Sequence, residues 1–260
     1  MDQSESCQTP FLQQGIMAEK PKKYRVEVCF SPDEFDLYKQ EYSTVVAIDV
    51  LRATTAICTA FHHGVDKIIP VSTVEEAMAY KASGYIAAAE RNGKIVDGFE
   101  FGNSPFSYMG PEIKGKTIAL TTTNGTRTIN IAAKTHKVMV AALINLDAMI
   151  DYLTRNPCDV LLLASGWQGK FNLEDSICAG AITDALLKTG SYMSDEDSTI
   201  AAMFLYQKAS VNYFGFLKAS SHRRRLRNLN LNEDIKYCLT PNQTRVIPVY
   251  EDGALILLQE

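Results

Sequence analysis

The sequence predicts an α/β protein: a mostly parallel or mixed sheet sandwiched between helices, with a helical excursion near the C-terminus. Three observations predict it. Strand-like runs alternate with helix-like ones as far as Lys188. Those strands are continuously apolar, which marks burial on both faces. After Lys188 the pattern turns mostly helical, from about Asp195 to Cys238, before two short strand-like runs close the chain.

In order, YRVEVCF (24–30) and TVVAIDV (44–50) read as strands, and a helical pattern runs from Ala53 to about His63. KIIPV (67–71) precedes a helix over TVEEAMAYKAS, whose Val74, Ala77 and Met78 fall at i, i+3 and i+4. YIAAAE (85–90) is a further strand, and KTIALTTT (116–123) leads into a helix. KVMVAAL (137–143) leads into another, capped by Asn145 or Asp147. DVLLLAS (159–165) precedes the helical LEDSICAGAITDALLK, and RVIPVY and ALILL are the last strands. Nothing repeats, so 21–260 reads as one domain. The polar start (1–20) reads as a flexible tail or an over-long start, Met17 serving nearly as well.

The 260 residues carry a formal net charge of −4, with a pI of about 5.7. That argues against non-specific nucleic-acid binding. An anionic ligand then requires basic groups or a metal concentrated locally. No run approaches the roughly 18 apolar residues of a membrane span, and the start lacks the apolar core of a signal peptide. Cys7, Cys29, Cys58, Cys158, Cys178 and Cys238 show no C-x-x-C spacing and read as reduced thiols. The expectation is a cytoplasmic protein, with no nucleic-acid or membrane partner and self-association left open.

GPEIKGKT, Gly110 to Thr117, matches a phosphate-loop pattern, but a loop precedes it and a strand follows. The cradle needs the reverse order, so a plain turn is expected. His62, His63, His136 and His222 lack metal-ligand spacing and read as packing.

Four segments stand at the carboxyl ends of strands, where open α/β sheets place ligands. IDVLRATTA offers Asp49, Arg52, Thr54 and Thr55; AAAERNGKIVDGFEFGNSP offers Glu90, Arg91, Asn103 and Ser104. TTTNGTR offers Thr122, Thr123, Asn124, Gly125, Thr126 and Arg127 at a helix start, where partial positive charge favours an anion. ASGWQGKFNLEDSICAG offers Ser165, Gly166, Glu174 and Asp175. Acids in a first helical turn are also ordinary dipole partners, worth roughly 0.3–1 kcal/mol. Together, however, the carboxylates, arginines and hydroxyls match what phosphoryl transfer needs.

DVLRATT, ERNG with GFEFGNSP, TTTNGTR, and SGWQG with EDSICAG resemble, in this order, the 2-phosphosulfolactate phosphatase family of coenzyme M biosynthesis. The resemblance implies a three-layer α/β/α fold and Mg2+-dependent hydrolysis of 2-phospho-3-sulfolactate. On that reading Asp49, Arg52 and Arg127 are catalytic, and Asp49, Glu90, Glu174 and Asp175 hold Mg2+. Phosphate and substrate fall to Thr54, Thr55, Arg91, Asn103, Ser104, Thr122 to Thr126, Ser165 and Gly166. Direct attack by water and attack by Asp49 both stay open. Water is favoured, because a metal-binding carboxylate is a poor free nucleophile.

The C-terminal match is weaker. Asp234 and Cys238 fit, whereas Asn230 stands where glycine is expected and Asn242 where aspartate is usual. The run Arg223-Arg224-Arg225 reads first as a solvated face, with room for one arginine to turn inward. Those departures keep a Mg2+ phosphatase for another small phospho-carboxylate in play, and a non-catalytic phospho-ligand binding module that keeps the anion cradle without turnover is a second alternative.

Overall fold

The structure, a computed structural model, describes residues 22–38 and 42–259; the stretch read as a tail lies outside them. The first half holds β1 (Tyr24–Cys29), β2 (Thr44–Ile48), α1 (Ala53–His62), β3 (Lys67–Pro70), α2 (Val74–Ala82), β4 (Ile86–Arg91), β5 (Lys94–Ile95), β6 (Thr117–Thr121) and α3 (Gly125–Ala132). Then come β7 (Lys137–Ala141), α4 (Leu146–Arg155), β8 (Val160–Ala164), α5 (Leu173–Lys188) and β9 (Tyr192–Met193). The C-terminal part holds α6 (Asp197–Ala209), α7 (Tyr213–Phe216), α8 (Ser221–Asn228), α9 (Asn232–Cys238), β10 (Pro248–Glu251) and β11 (Ala254–Leu257).

One sheet of 11 strands runs through the described residues in the order β5-β4-β6-β3-β11-β10-β7-β2-β8-β1-β9. It is mixed, and the C-terminal hairpin makes it so. The parallel group β7-β2-β8-β1 and the parallel group β3-β6-β4 are joined through β10 and β11. Those junctions are all antiparallel, so the two groups run in opposite senses. Residues at or just beyond the carboxyl ends of β2, β4, β6 and β8 nevertheless line one cleft: Asp49, Glu90, Asn124 and Trp167.

The apolar strands bury both faces because successive side chains point to opposite sides. Val46 and Ile48 of β2, with Leu162 of β8, pack under α4, α5, α8 and α9 through Met149, Ile177, Leu226 and Ile235. Val45, Ala47, Leu161 and Leu163 pack the other way, against Ile57 and Phe61 of α1 and Ile129 of α3. Each such side chain contributes roughly 1.5–3 kcal/mol on burial, so these two layers hold the sheet. The result is the expected three-layer arrangement.

Two local expectations are corrected. Met78 is 40% exposed, while Ala77 is buried with Val74 and Tyr80 packed beside it; a capping box between Thr73 and Glu76 starts the helix. Asn145 precedes α4 but does not cap it. Its amide group instead accepts from Ala142 N–H and donates to Val140 and Val246, tying the hairpin to β7. The stretch 195–238 is mostly helical as expected, running through α6, α7, α8 and α9. Asn212 accepts from Gly215 N–H at 2.7 Å and Ser220 from Arg223 N–H at 3.2 Å, so each restarts a helix. GPEIKGKT is a plain turn: a short 3₁₀ segment at Pro111–Ile113 runs into β6. Among the described residues no helix is long and apolar enough to cross a membrane.

Candidate active site

Asp49 follows β2 directly, and the chain turns sharply there. Its N–H donates to Thr54 Oγ1 at 2.9 Å, and Thr54 N–H returns a bond to the Asp49 carbonyl at 3.0 Å. Thr55 Oγ1 donates to the Val50 carbonyl at 2.8 Å. Both hydroxyls are therefore used in building the turn and sit fully buried behind it. The turn leaves Asp49 and Arg52 lining a cleft of about 100 Å³, several times the ~10–15 Å³ that one water needs. Arg52 is fixed by Asp234 of α9, at 2.5 Å, and by the Gly93 carbonyl at 3.0 Å.

Glu90 also lines the cleft, with Asn103 and Asn124. Its oxygens accept from Gly93 N–H at 2.6 Å, Thr123 N–H at 3.2 Å, Thr123 Oγ1 and Asn103 Nδ2. Those donors fill the roughly four lone-pair sites of a carboxylate. Glu90 therefore fastens the loop after β4 to the start of α3. Asn103 Oδ1 is left buried without a partner among the described residues.

At the start of α3, Thr122 and Thr126 donate their amides to each other's hydroxyls at 3.1 Å. Asn124 Oδ1 accepts from Gln168 N–H at 3.2 Å, which joins this helix start to the Trp167 loop. Gly125 packs directly on the Asp49 turn. A Cβ there would lie 2.4 Å from Ala53 Cβ and 2.9 Å from Asp49 Oδ2. Gly125→Ala is accordingly expected to destabilise by about 1–3 kcal/mol and to impair the site. An unchanged urea midpoint would show that α3 withdraws freely.

The other two acids stand behind the cleft. Asp175 accepts from Val50 N–H at 2.8 Å, Gly166 N–H at 3.1 Å and Asn172 Nδ2 at 2.8 Å. Glu174 accepts from Ser220 Oγ at 3.2 Å and pairs with His222 Nδ1 at 2.6 Å. The expectation that Asp49, Glu90, Glu174 and Asp175 together form a metal cage is therefore corrected. Glu174 and Asp175 bind protein donors, and among the described residues no group of three or more His, Cys, Asp or Glu side chains is placed to hold a metal. Asp49 is the exception to this saturation: one distant contact, from Ala53 N–H at 3.4 Å, reaches its Oδ1. Burial, Asp175 and Glu90 push its carboxyl well above the usual range, and His222 and the Ala53 amide pull it back.

Further expected residues lie elsewhere. Arg127 points away, to Asp33 at 2.5 Å, and is half exposed. Arg91 donates to the Glu90 carbonyl and to Thr121 Oγ1, and lies outside the cleft lining. Ser104 opens a 3₁₀ turn at Pro105–Tyr108. Ser165 Oγ is buried without a partner among the described residues. Gly166 sits at φ +61°, and a Cβ there would meet the Lys170 carbonyl at 2.3 Å, so only glycine makes this turn.

The second wall of the cleft comes from α8. His222, Arg225, Leu226 and Leu229 line it, with Trp167 beside them. His222, read as packing, does pack against Trp167 and pairs its Nδ1 with Glu174, and it lines the cleft as well. His222 and Arg225 are at i and i+3, one face of one helix. That spacing behind the Ser220 cap was the available signal.

The sequence profile described as 2-phosphosulpholactate phosphatase matches residues 29–253. The chain belongs to this family. It is 38% identical over 220 residues to a probable 2-phosphosulfolactate phosphatase of Caldanaerobacter subterraneus subsp. tengcongensis, covering 83% of this chain and 91% of that one. The protein of the same name from Thermotoga maritima is 39% identical over 217 residues, 84% and 93% of the two chains.

Within that family the two C-terminal departures have local explanations. Asn230 sits at φ +62° and Asn242 at φ +59°, a region that favours glycine and that asparagine tolerates. Asn242 accepts from Asp147 N–H at 2.9 Å. Neither side chain lines the cleft.

Proposed function

We propose that the protein is a phosphoric monoester hydrolase that releases phosphate from 2-phospho-3-sulfolactate with Mg2+, and that it acts in the cytoplasm. The observation that carries the reading is the position of Asp49. It is a buried carboxylate with few donors, beside the amino end of α3, in a cleft that also holds a fixed arginine.

The residues fit Mg2+ arriving with its substrate. That ion takes one or two carboxylates, with waters and phosphate oxygens, more readily than an all-protein cage. Asp49 and the unpartnered Asn103 Oδ1 are hard oxygen donors on the same cleft and would hold it. Mg2+ supplies polarisation of the phosphoryl group and a more acidic bound water.

The chain itself contributes the rest. The start of α3 brings its positive dipole end to the cleft, and Asn124 adds an amide side chain there. Arg52, oriented by Asp234 and Gly93, faces charge on the equatorial oxygens. His222, oriented by Glu174, is the group placed to give a proton to the departing alkoxide. Water adds to phosphorus as the ester P–O bond breaks; the sulfolactate oxygen leaves with the His222 proton, and the water's surplus proton passes from the phosphate product to solvent, from which His222 regains one.

Phosphate release from 2-phosphosulfolactate, phospholactate and phosphoglycerate tests this. With Mg2+ the sulfonate is expected to turn over fastest, and EDTA to lower its rate by about 100-fold or more, with Mg2+ restoring it. Release that ignores EDTA would remove the metal from the reading. No release from the folded protein would favour a phospho-ligand binding module.

A further inference from the structure

We infer that Arg225 is a specificity-determining residue, whose guanidinium clamps the anionic group of the substrate that is not transferred. The inference rests on the phosphatase reading of the cleft and assigns that cleft's second anion subsite.

The observation is an unfilled fork. Arg225 Nε and Nη2 are both buried and have no hydrogen-bond partner among the described residues. These two nitrogens form one edge of the guanidinium and present parallel N–H groups. That edge matches a carboxylate or sulfonate bidentately. Leaving it empty against the protein is costly, because buried donors lose water and gain nothing.

The fork is also held still. The guanidinium carbon lies 4.2 Å from the centroid of the Trp167 ring, and that ring stacks on His222 at 5.0 Å. Nδ1 of His222 is anchored by Glu174 in turn. The nearby acid is thus engaged with His222 and Ser220 and forms no ion pair with Arg225.

Its neighbours show that this is not a property of the basic run. Arg223 donates to the Phe214 carbonyl and stacks 3.7 Å over the Phe214 ring. Arg224 is exposed. Of the three, Arg225 alone lines the cleft. The acids Asp49 and Glu90 enter the same cleft from the sheet, so the phosphate with its cation and a second anion on α8 have separate partners.

The test compares three phosphate esters: 2-phospholactate, with a carboxylate alone; 1-sulfopropan-2-yl phosphate, with a sulfonate alone; and isopropyl phosphate, with neither. Arg225→Gln is expected to lower kcat/KM roughly 100-fold, mostly through KM, for whichever anion the fork holds, and under about 3-fold for isopropyl phosphate. Arg225→Lys keeps the charge but not the fork and is expected to recover only part. Equal losses on all three esters, or none, would overturn the inference. Calorimetric binding of sulfolactate, which carries no phosphate, gives a readout independent of turnover. Roughly 100-fold weaker binding to folded Arg225→Gln supports the clamp even if no ester is hydrolysed, and unchanged binding refutes it.

Discussion

Asp49→Asn is expected to leave a folded protein that releases phosphate at least about 10³-fold more slowly, a loss of about 4 kcal/mol in transition-state stabilisation. The substitution is nearly isosteric and keeps an oxygen for the Ala53 amide, so the turn built by Thr54 and Thr55 survives. What it removes is negative charge, and that charge has a cost in the resting protein. Burial and the acids Asp175 and Glu90 already press the Asp49 carboxyl toward its neutral form. Structure alone has no use for such a group; a cation and a phosphate do. The expected signature is therefore a split: activity collapses while the urea midpoint stays level or rises. Activity within about 10-fold of wild type would remove Asp49 from the chemistry. A fall in both activity and midpoint would make it a structural acid like Asp175.

The strands and their layers were legible because two-sided burial writes itself as continuous apolar runs, in TVVAI and VLLLA alike. The insertion of the C-terminal hairpin between two parallel groups was not. Its partners, Met139 for Val249 and Ile68 for Leu255, are more than a hundred residues distant, and nothing local in RVIPVY announces them. The cleft was half legible. Asp49, Arg52, Glu90, Asn103 and Asn124 stand at strand ends, where a turn residue and a ligand residue look alike in sequence. The same ambiguity misplaced Thr54, Thr122 and Thr126, whose hydroxyls close turns. It also misplaced Arg127, which pairs with Asp33 away from the cleft. His222 and Arg225 come from a part of the chain whose relation to the sheet is set by tertiary contacts: Arg52 to Asp234, and Glu174 to His222.

Asp175→Ala is expected to destabilise the fold by about 2–4 kcal/mol and to take activity with it. Asp175 is the point at which three segments are tied together: Val50 after β2, Gly166 after β8, and Asn172 before α5. Removing the carboxylate strands two buried backbone N–H groups and one side-chain amide, each worth roughly 1–3 kcal/mol when left without an acceptor. Part of that is offset, because burial and the adjacent Glu174 push the Asp175 carboxyl upward and that pressure is relieved on deletion. Asp175→Asn separates the two effects. It retains one acceptor oxygen but turns an NH2 toward one of the donors, so about half the loss is expected. Urea unfolding of both variants, read beside Mg2+-dependent phosphate release, decides the role. A ligand to the metal would show lost activity at an unchanged midpoint in Asp175→Asn. A tether shows the midpoint falling first and activity following it, because Val50 and Gly166 flank Asp49 and the Trp167 loop, and both walls of the cleft shift when they are released.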